Sequence, residues 1–311
     1  MILCCGEALI DMLPAVDVQG QACFAPVSGG AIFNTAIALG RLGAHTGMLT
    51  GLSTDMFGQQ LETDLKSSRV DTSLVIKSDR PTTLAFVRLV DGHATYTFYD
   101  ENSAGRMIAA EDLPSLPGDI VALYFGGISL VSEPGAQAYA ALAEAAGQDR
   151  AVFVDPNIRP SFIRDVPAYR ERMRRVLGCA DIAKVSDEDL NWIYPGGEPM
   201  TEKVARISGS GPAMVIVTRG GQGATAYLRG GVQVDVMSQK VTVVDTVGAG
   251  DTFNAGVLAK LSELGFLSKG SIPEISPEVA EAALAHGAQV AAITVSRAGA
   301  NPPWQDELAG T

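Results

Sequence analysis

The chain has 311 residues, 47% of them hydrophobic, and carries a formal net charge of −12. This length and apolar content allow one large α/β domain or two smaller ones, and the acidic balance without a basic face predicts no nucleic-acid partner. No run of residues approaches the apolar length of a membrane helix, and the N-terminus lacks the basic start of a signal peptide, so we expect no membrane partner and no secretion.

The cysteines and histidines show no metal-site spacing. The four cysteines include no Cys-x-x-Cys pair, and the three histidines are scattered along the chain. Cys4 and Cys5 are adjacent in an apolar run, and a strand would direct their side chains to opposite faces as small buried residues. We therefore expect free thiols in a reducing, cytoplasmic compartment.

The first predicted strand starts at Ile2 and ends in a polar group at Asp11. A carboxylate where a strand ends is either a turn residue or a ligand for sugar hydroxyls. The second interpretation has a chemical reason, because a carboxylate accepts two hydrogen bonds at once and suits a pair of neighbouring hydroxyls. Both interpretations remain open at this point.

A glycine pair precedes the first predicted helix. Gly29-Gly30 allows a ligand to approach the backbone closely, and the helix is expected over 35–42, where Gly43 ends it. Asn34 lies in the first turns of this helix. An isolated asparagine there is either structural or a ligand contact.

Residues 82–99 differ in character from their surroundings. Two segments with alternating apolar residues, 83–90 and 94–99, are separated by Asp91-Gly92, which has the composition of a hairpin turn. The sequence therefore predicts a β-hairpin.

From residue 121 onward, predicted strands alternate with predicted helices. Such alternation predicts a mostly parallel sheet with helices on both faces, in which ligands gather at the carboxyl ends of the strands. We expect strands at 121–125, 152–154, 182–185 and 214–218, and helices at 134–146, 165–177, 187–194, 200–208 and 277–290. Polar groups accompany the ends of three of these strands, in the segments 155–159, 184–189 and 218–221.

The stretch 243–256 combines three features. Val243-Val244 is β-branched and predicts the end of a strand, and the residues after 250 predict a helix. Between them, Gly248-Ala249-Gly250 (the anion loop) leaves the backbone nearly free of side chains, so that N–H groups at the helix N-terminus can bind an anion. Asp251 follows directly. It is either the N-cap of the helix or a general base beside the anion site.

Two other nucleotide-binding motifs are excluded. Residues 221–226 fit the Gly-x-Gly-x-x-Ala pattern of a dinucleotide fold, but they continue into a predicted hairpin arm instead of the helix that this motif requires. No Gly-x-x-x-x-Gly-Lys-Ser/Thr occurs, and the protein-kinase motifs are also missing.

The string Asp245-Thr246-Val247-Gly248-Ala249-Gly250-Asp251 resembles the C-terminal signature Asp-Thr-x-Gly-Ala-Gly-Asp of the PfkB (ribokinase-like) carbohydrate kinases. Gly29-Gly30 with Asn34 resembles the N-terminal signature of the same family, Gly-Gly-x-x-x-Asn. The resemblance spans essentially the whole chain. It implies a single three-layer α/β domain over 1–311, with a mostly parallel central sheet, helices on both faces, and a small β-sheet lid formed by about 12–28 and 82–103.

The resemblance also implies the roles of individual residues. Asp251 would be the catalytic base, and the N–H groups of Gly248, Ala249 and Gly250 would stabilise the transferred phosphoryl group. The residues implied for the sugar are Asp11, Gly29, Gly30, Asn34, Asn102 and Arg159. Arg159 could also neutralise charge in the transition state, or it could merely pair with a carboxylate at a strand end. The residues implied for ATP are Lys184, Thr218, Gly220, Gly221, Gly223, Gly248 and Gly250, with Ala283 and His286 near the adenine.

The family relationship implies Mg²⁺ as a companion of ATP, and K⁺ is a further candidate through carbonyls near Asp245 and 297–299. Ser186 and Asp189 stand where many relatives have an Asn-x-x-Glu motif that tunes Mg²⁺ binding. Since both residues differ here, Glu188 and Asp189 are only candidate metal ligands. A homodimer formed through the lids is also implied.

The sugar is predicted from three further segments, 96–106, 125–130 and 155–160, which resemble the bacterial fructokinases, a branch of this family. The rival branch, 2-keto-3-deoxygluconate kinase, usually carries an arginine shortly after the lid tyrosine, whereas this chain has Asp100 and Glu101. Two carboxylates would repel an anionic sugar acid, so we expect a neutral ketohexose. A kinase for another sugar or a nucleoside, and a non-catalytic sugar sensor, are the alternatives.

Overall fold

The computed structural model describes residues 1–90 and 93–310, so the predicted Asp91-Gly92 turn lies outside the described residues. Within them the chain forms fourteen strands and eight α-helices. The strands are β1 (Ile2–Cys5), β2 (Leu9–Val16), β3 (Ala22–Gly29), β4 (Thr46–Leu49), β5 (Gly51–Ser53), β6 (Ile76–Ser78), β7 (Leu84–Val90), β8 (His93–Tyr99), β9 (Ala122–Gly126), β10 (Ala151–Asp155), β11 (Ile182–Ser186), β12 (Met214–Thr218), β13 (Ala224–Leu228) and β14 (Gln233–Val236). The helices are α1 (Ala31–Arg41), α2 (Met56–Ser67), α3 (Gly135–Ala146), α4 (Val166–Cys179), α5 (Asp187–Ile193), α6 (Met200–Ser208), α7 (Ala249–Glu263) and α8 (Pro277–Val295).

Eight strands form the central sheet, in the spatial order β14-β13-β12-β11-β10-β9-β1-β4. The six strands from β12 to β4 are parallel, and the β13–β14 hairpin adds two antiparallel strands at one edge. The prediction of a mostly parallel sheet is confirmed. The rejection of the dinucleotide motif also holds, because a strand begins at Ala224 where that motif needs a helix.

Helices cover both faces of this sheet, as the strand–helix alternation predicts. Side chains on a strand alternate between the faces, so Cys4 packs in the core beneath α1, α7 and α8 while Cys5 packs in the opposite core beneath α3 and α4. All four cysteines are free thiols, and the cytoplasmic location stays a prediction. None of the helices in the described part of the chain is long and apolar enough to cross a membrane.

A second sheet, the lid, contains four strands in the order β3-β2-β7-β8. β2 pairs antiparallel with β3 and parallel with β7, and β7 pairs antiparallel with β8. The sequence predicted that Asp11 ends the first strand, but the residue lies inside β2. The chain leaves the central sheet after Cys5 and starts a new strand at Leu9, because that segment finds its pairing partners in the lid.

Three other predicted boundaries are wrong. The first helix begins at Ala31 and not at residue 35. Val243 and Val244 form no strand: both side chains are about 60% exposed, and the Val244 N–H bonds to the Val295 carbonyl near the end of α8. A β-branched pair favours a strand only where a neighbouring strand offers a ladder. The last helix, α8, continues to Val295, beyond the predicted end at 290.

Candidate active site

A cleft of about 380 Å³ lies between the lid and the carboxyl-terminal edge of the central sheet. It is lined by the lid strands, the first turn of α1, the loops after β1, β9 and β10, and the start of α7. The polar residues that matter below are Glu7, Asp11, Asn34, Arg159 and Asp251, with the anion loop at one end. A larger cavity of about 490 Å³ adjoins it across Phe98 and Phe162. That cavity contains neither the anion loop nor Asp251, so we assign the chemistry to the smaller cleft.

The anion loop adopts the geometry expected of a phosphate-binding turn. Gly248 is the N-cap of the fifteen-residue helix α7 and has a left-handed backbone, with φ +77°. A Cβ on Gly248 would lie 2.5 Å from the Cβ of Ala300, so only glycine fits there. The Ala249 N–H makes a long bond of 3.3 Å to the Thr246 carbonyl, for which a bound anion would have to compete. The loop and the helix dipole together favour a negative charge in front of them.

Asp251 occupies the first turn of α7 and lines the cleft. It is not the N-cap, because Gly248 holds that position. Its Oδ2 accepts a hydrogen bond of 2.9 Å from the side-chain amide of Asn34, and the residue is 8% exposed. Burial is the main cause that raises the pKa of Asp251 to about 7, with smaller contributions from the charges of Asp155 and Glu7, while the Asn34 bond and Lys184 act in the opposite direction. A carboxylate with this pKa is suited to accept a proton near neutral pH.

Asp11 faces the same cleft from the lid. Burial raises the pKa of its carboxyl to about 6. A Cβ on Gly29 would lie 2.3 Å from Asp11 Oδ2, so Gly29 contributes by leaving room for this carboxylate. Gly30 and Asn34 line the cleft directly. The structure thus brings the predicted group Asp11, Gly29, Gly30 and Asn34 together on one side.

Lys184 lies beneath the anion loop. Its ammonium group bonds to Asp155 Oδ2 at 2.9 Å in the buried interior, and the same oxygen accepts a bond of 2.7 Å from Asn254 on α7. A Cβ added to Gly250 would lie 3.4 Å from Lys184 Nζ. The predicted nucleotide contact Lys184 thus lies on the covered side of the loop, paired with Asp155, and does not line the cleft.

Arg159 lines the cleft, as predicted from the strand-end position. Its guanidinium donates to the backbone carbonyl of Ile158 at 3.2 Å and, more weakly, to that of Asn157. These contacts differ from the carboxylate pairing that was the alternative interpretation, and they leave the cation available to a ligand.

Other predicted site residues lie away from the cleft. Asn102 is an exposed turn residue with φ +63°, and its side chain pairs with Arg80. Its assignment to the sugar site therefore does not fit. Thr218, Gly220 and Gly221 lie at the carboxyl end of β12, where the two glycines have open space around them and remain candidates for the nucleotide. A Cβ on Gly223 would lie 2.1 Å from the Val236 carbonyl, so Gly223 is needed by the β13–β14 hairpin.

The two predicted adenine contacts, Ala283 and His286, also lie away from the cleft. Ala283 is 1% exposed and belongs to the core, so its side chain offers almost no surface to a ligand. Nδ1 of His286 is 2.9 Å from the Gly256 carbonyl of α7. Gly256 itself packs against Gly287, with space for no Cβ between the two helices. The structure therefore favours a packing role for His286.

Neither of the candidate metal ligands, Glu188 and Asp189, lines the cleft. Asp189 Oδ1 accepts the Ile158 N–H at 2.8 Å, and Oδ2 accepts the N–H and hydroxyl of Ser186, which forms a capping box for α5. Glu188 is exposed. In residues 1–90 and 93–310, no group of three or more His, Cys, Asp or Glu side chains could hold a metal. A divalent cation here would depend mainly on oxygens from phosphate and water.

The structure also changes the argument about substrate charge. Asp100 pairs with Arg106 at 3.0 Å, and Glu101 lies 3.5 Å from Arg164. Neither residue lines the cleft, so the predicted repulsion of a sugar acid by these two carboxylates is wrong. The negative groups that do face the cleft are Glu7, Asp11 and Asp251, with Arg159 as the opposing cation. This balance still favours a neutral ligand.

Glu7 and Asn157 line the cleft and were missed by sequence reasoning. Asn157 has φ +43° in the loop after β10, within a polar segment that the sequence had marked. The available signal for Glu7 was a carboxylate two residues after the apolar run Ile2–Cys5, which forms β1 of the parallel sheet, because ligands gather at the carboxyl ends of such strands. Its contacts are with backbone N–H groups, which the sequence does not reveal.

A buried carboxylate of raised pKa beside a bare loop at a helix N-terminus, in a polar cleft, is the arrangement expected of a phosphotransferase that acts on an alcohol. A family model described as pfkB family carbohydrate kinase matches residues 1–307. The chain belongs to this family of carbohydrate kinases, and the sequence-based assignment of family and fold is confirmed.

Individual relatives agree with this assignment. The chain is 49% identical over 278 residues to a fructokinase of Rhizobium leguminosarum bv. trifolii, covering 89% of this chain and 85% of that protein. It superposes with a TM-score of 0.91 and 27% identity on the structure of a fructokinase of Xylella fastidiosa with bound ATP, covering 99% and 97% of the two chains. A fructokinase of Vibrio cholerae O395, solved with fructose, ADP and calcium ion, gives a TM-score of 0.84, 26% identity, and coverage of 99% and 97%.

Proposed function

We propose that the protein is an ATP-dependent fructokinase, which transfers the γ-phosphoryl group of ATP to the hydroxymethyl group of D-fructose and forms fructose 6-phosphate. The observation that carries this proposal is the Asp251 carboxylate in an open cleft directly beside the anion loop. The similarity to fructokinases supports the choice of sugar, as does the excess of carboxylates in the cleft.

The proposed mechanism uses groups of the chain in fixed positions. Asp11, Gly30 and Asn34 hold the sugar hydroxyls, and Asp251 accepts the proton of the attacking hydroxyl. The sugar oxygen then forms a bond to the γ-phosphorus while the bond to the bridging oxygen of ADP breaks. The N–H groups of the anion loop stabilise the charge on the transferred group, and the lid limits access of water, which would otherwise compete as the acceptor.

The nucleotide is ATP with a divalent cation, for which we propose Mg²⁺. In the described part of the chain no group of three or more His, Cys, Asp or Glu side chains could hold a metal. The cation would therefore arrive with the phosphates and neutralise them. A contribution of K⁺ near Asp245 stays a prediction; both Asp245 oxygens accept backbone N–H groups, from Val247 and Gly299.

We also propose that two copies of the chain associate through their lids. The lid face turned away from the cleft carries an edge-to-face row of aromatic rings, Phe24, Phe86 and Tyr99. Phe24 is 47% and Tyr99 is 59% exposed in the single chain, and such a row is typical of a surface that a partner covers. Sedimentation equilibrium should give the mass of two chains, and a monomer at all concentrations would contradict the proposal.

The experiment that tests the substrate is an ATP-coupled assay with fructose, 2-keto-3-deoxygluconate, ribose and adenosine. Fructose should give the highest kcat/KM, because the cleft combines hydroxyl acceptors with an unfavourable field for anions. A preference for the sugar acid would overturn the charge argument and place the protein in the rival branch. A preference for adenosine or ribose would contradict the fructokinase assignment and retain the kinase class.

The rate should depend on pH through the base. The pKa of Asp251 is raised to about 7, so the ionised form that accepts a proton is lost as the pH falls through that value. We expect kcat/KM for fructose to fall about tenfold per unit below about pH 7, and titration of Asp11 to steepen the fall near pH 6. The measurement is a pH profile at saturating ATP, in which a flat response down to about pH 5 would contradict the assignment of the base.

A further inference from the structure

Glu7 connects three parts of the chain that meet at the cleft. Its carboxylate accepts the backbone N–H of Ala31 through Oε1 and that of Ser129 through Oε2, both at 3.1 Å. Its own carbonyl accepts the N–H of Phe33 at 3.2 Å. Glu7 therefore bonds to the first turn of α1 and also to the short turn after β9, and it is only 9% exposed.

The bond to Ala31 supplies a cap that α1 lacks. The N-cap residue of α1 is Gly30, which has no side chain to accept an N–H and has φ +107°. The first N–H groups of a helix need acceptors, and a carboxylate at that end also interacts favourably with the helix dipole. A Cβ on Gly30 would lie 3.0 Å from the Glu7 carbonyl oxygen. Glu7 thus caps α1 from a different element.

The first turn of α1 carries Asn34, whose backbone N–H bonds to the Gly30 carbonyl at 2.8 Å. The Asn34 side chain reaches Asp251. A continuous set of contacts therefore leads from Glu7 through the start of α1 to the proposed base.

We propose that Glu7 is a positioning residue of the phosphoryl-transfer site, which holds the first turn of α1 in place so that Asn34 meets both the sugar and Asp251. This inference rests on the proposed function. Because the hydrogen bonds of Glu7 go to α1 and to the turn after β9, its loss should disturb the sugar end of the cleft and leave the nucleotide end unchanged.

The first test is Glu7→Gln, which keeps the side-chain size and removes one of the two acceptors. We expect kcat/KM for fructose to fall about tenfold or more, with a raised KM for fructose and a KM for ATP within about twofold of the wild type. The matched control is Asp55→Asn. Asp55 caps α2 by accepting the N–H groups of Phe57 and Gly58, and it also accepts the N–H and hydroxyl of Thr82. None of these residues lines the cleft, so this change should lower Tm without changing either KM.

The second test asks whether Glu7 acts through Asn34. Asn34→Ala should itself lower kcat/KM for fructose, and Glu7→Gln added to it should lower the value by no more than about twofold further. Multiplication of the two separate effects would overturn the proposal, as would a folded Glu7→Gln protein with an unchanged KM for fructose.

A third variant displaces the carboxylate without removing it. Gly127 has φ +63°, and a Cβ there would lie 2.1 Å from Glu7 Oε1. Gly127→Ala should therefore raise the KM for fructose as Glu7→Gln does, even if the latter fails to fold. Gly265→Ala is the control, since Gly265 has φ +77° and open space around it. Equal effects of the two alanine variants would overturn the proposal.

The wild-type assay separates this inference from the proposed function. If the wild type prefers another of the four acceptors, the fructokinase proposal fails. The coupling between Glu7 and Asn34 is then measured with the acceptor that the wild type does use, and its result still decides the role of Glu7.

Discussion

Asp251→Asn should lower kcat by about 10²–10⁴-fold while the affinity for fructose stays close to that of the wild type. Asparagine has the size of aspartate, and its amide oxygen can still accept the hydrogen bond from Asn34 that the carboxylate accepts at 2.9 Å. The variant therefore loses the proton acceptor and little else. Coupled assays give kcat, and titration calorimetry gives sugar binding. Preserved turnover would refute the role of Asp251 as base.

Unfolding measurements on the same variant test whether it is folded and whether burial of the charge raises the pKa of Asp251. The pKa of Asp251 rises from 3.8 to about 7 on folding, so the ionised group destabilises the native state increasingly between these values. Removal of this charge should raise the free energy of unfolding by up to about 4 kcal/mol at pH 8, and by less as the pH approaches 4. Denaturant unfolding at several pH values measures the effect, and equal stabilities at pH 8 would contradict it.

Gly248→Ala should lower kcat/KM for ATP by about 10²–10³-fold, which is the range for loss of a preorganised oxyanion donor. The new Cβ would lie 2.5 Å from Ala300, in a backbone with φ +77° that alanine adopts with strain. The anion loop would have to shift, and its N–H groups would no longer converge on the phosphoryl group. Steady-state kinetics with varied ATP measures this loss.

The control for Gly248→Ala separates loop geometry from backbone strain. Gly265 has the same φ of +77° at the other end of α7, and a Cβ there meets no atom within 4 Å. Gly265→Ala should cost about 1 kcal/mol of stability and leave the kinetics unchanged. If both variants had the same kcat/KM for ATP, the anion loop would have no special role in the reaction.

Much of the fold could be predicted because its signals are local. The helices over 134–146, 187–194 and 200–208 were placed within about one residue of α3, α5 and α6, since hydrophobic periodicity and flanking turn residues determine such elements. The parallel sheet followed from the alternation of strands and helices. The strand at 243–244 was predicted wrongly, because β-branched residues form a strand only beside a partner, and partners are supplied by the tertiary fold.

The candidate site was predictable where its residues are neighbours in the chain. Gly248, Ala249, Gly250 and Asp251 form one short signature, and the turn they make is set largely by glycine at Gly248. Asn102 and Ala283 were assigned by resemblance alone, and the structure places one at the surface and the other in the core. Correct placement of those residues required knowledge of which side of each element is covered.

The sequence by itself determined the anion loop, the carboxylate next to it and the order of strands and helices, because each depends on residues that are adjacent or periodically spaced. Only the tertiary structure decided that Asn34 contacts Asp251 across 217 positions of chain, that Glu7 caps α1, and that Asp100 and Glu101 face arginines outside the cleft. It also decided the pKa of the base. Burial and long-range contacts arise from the packing of the whole chain, and no local pattern of residues contains them.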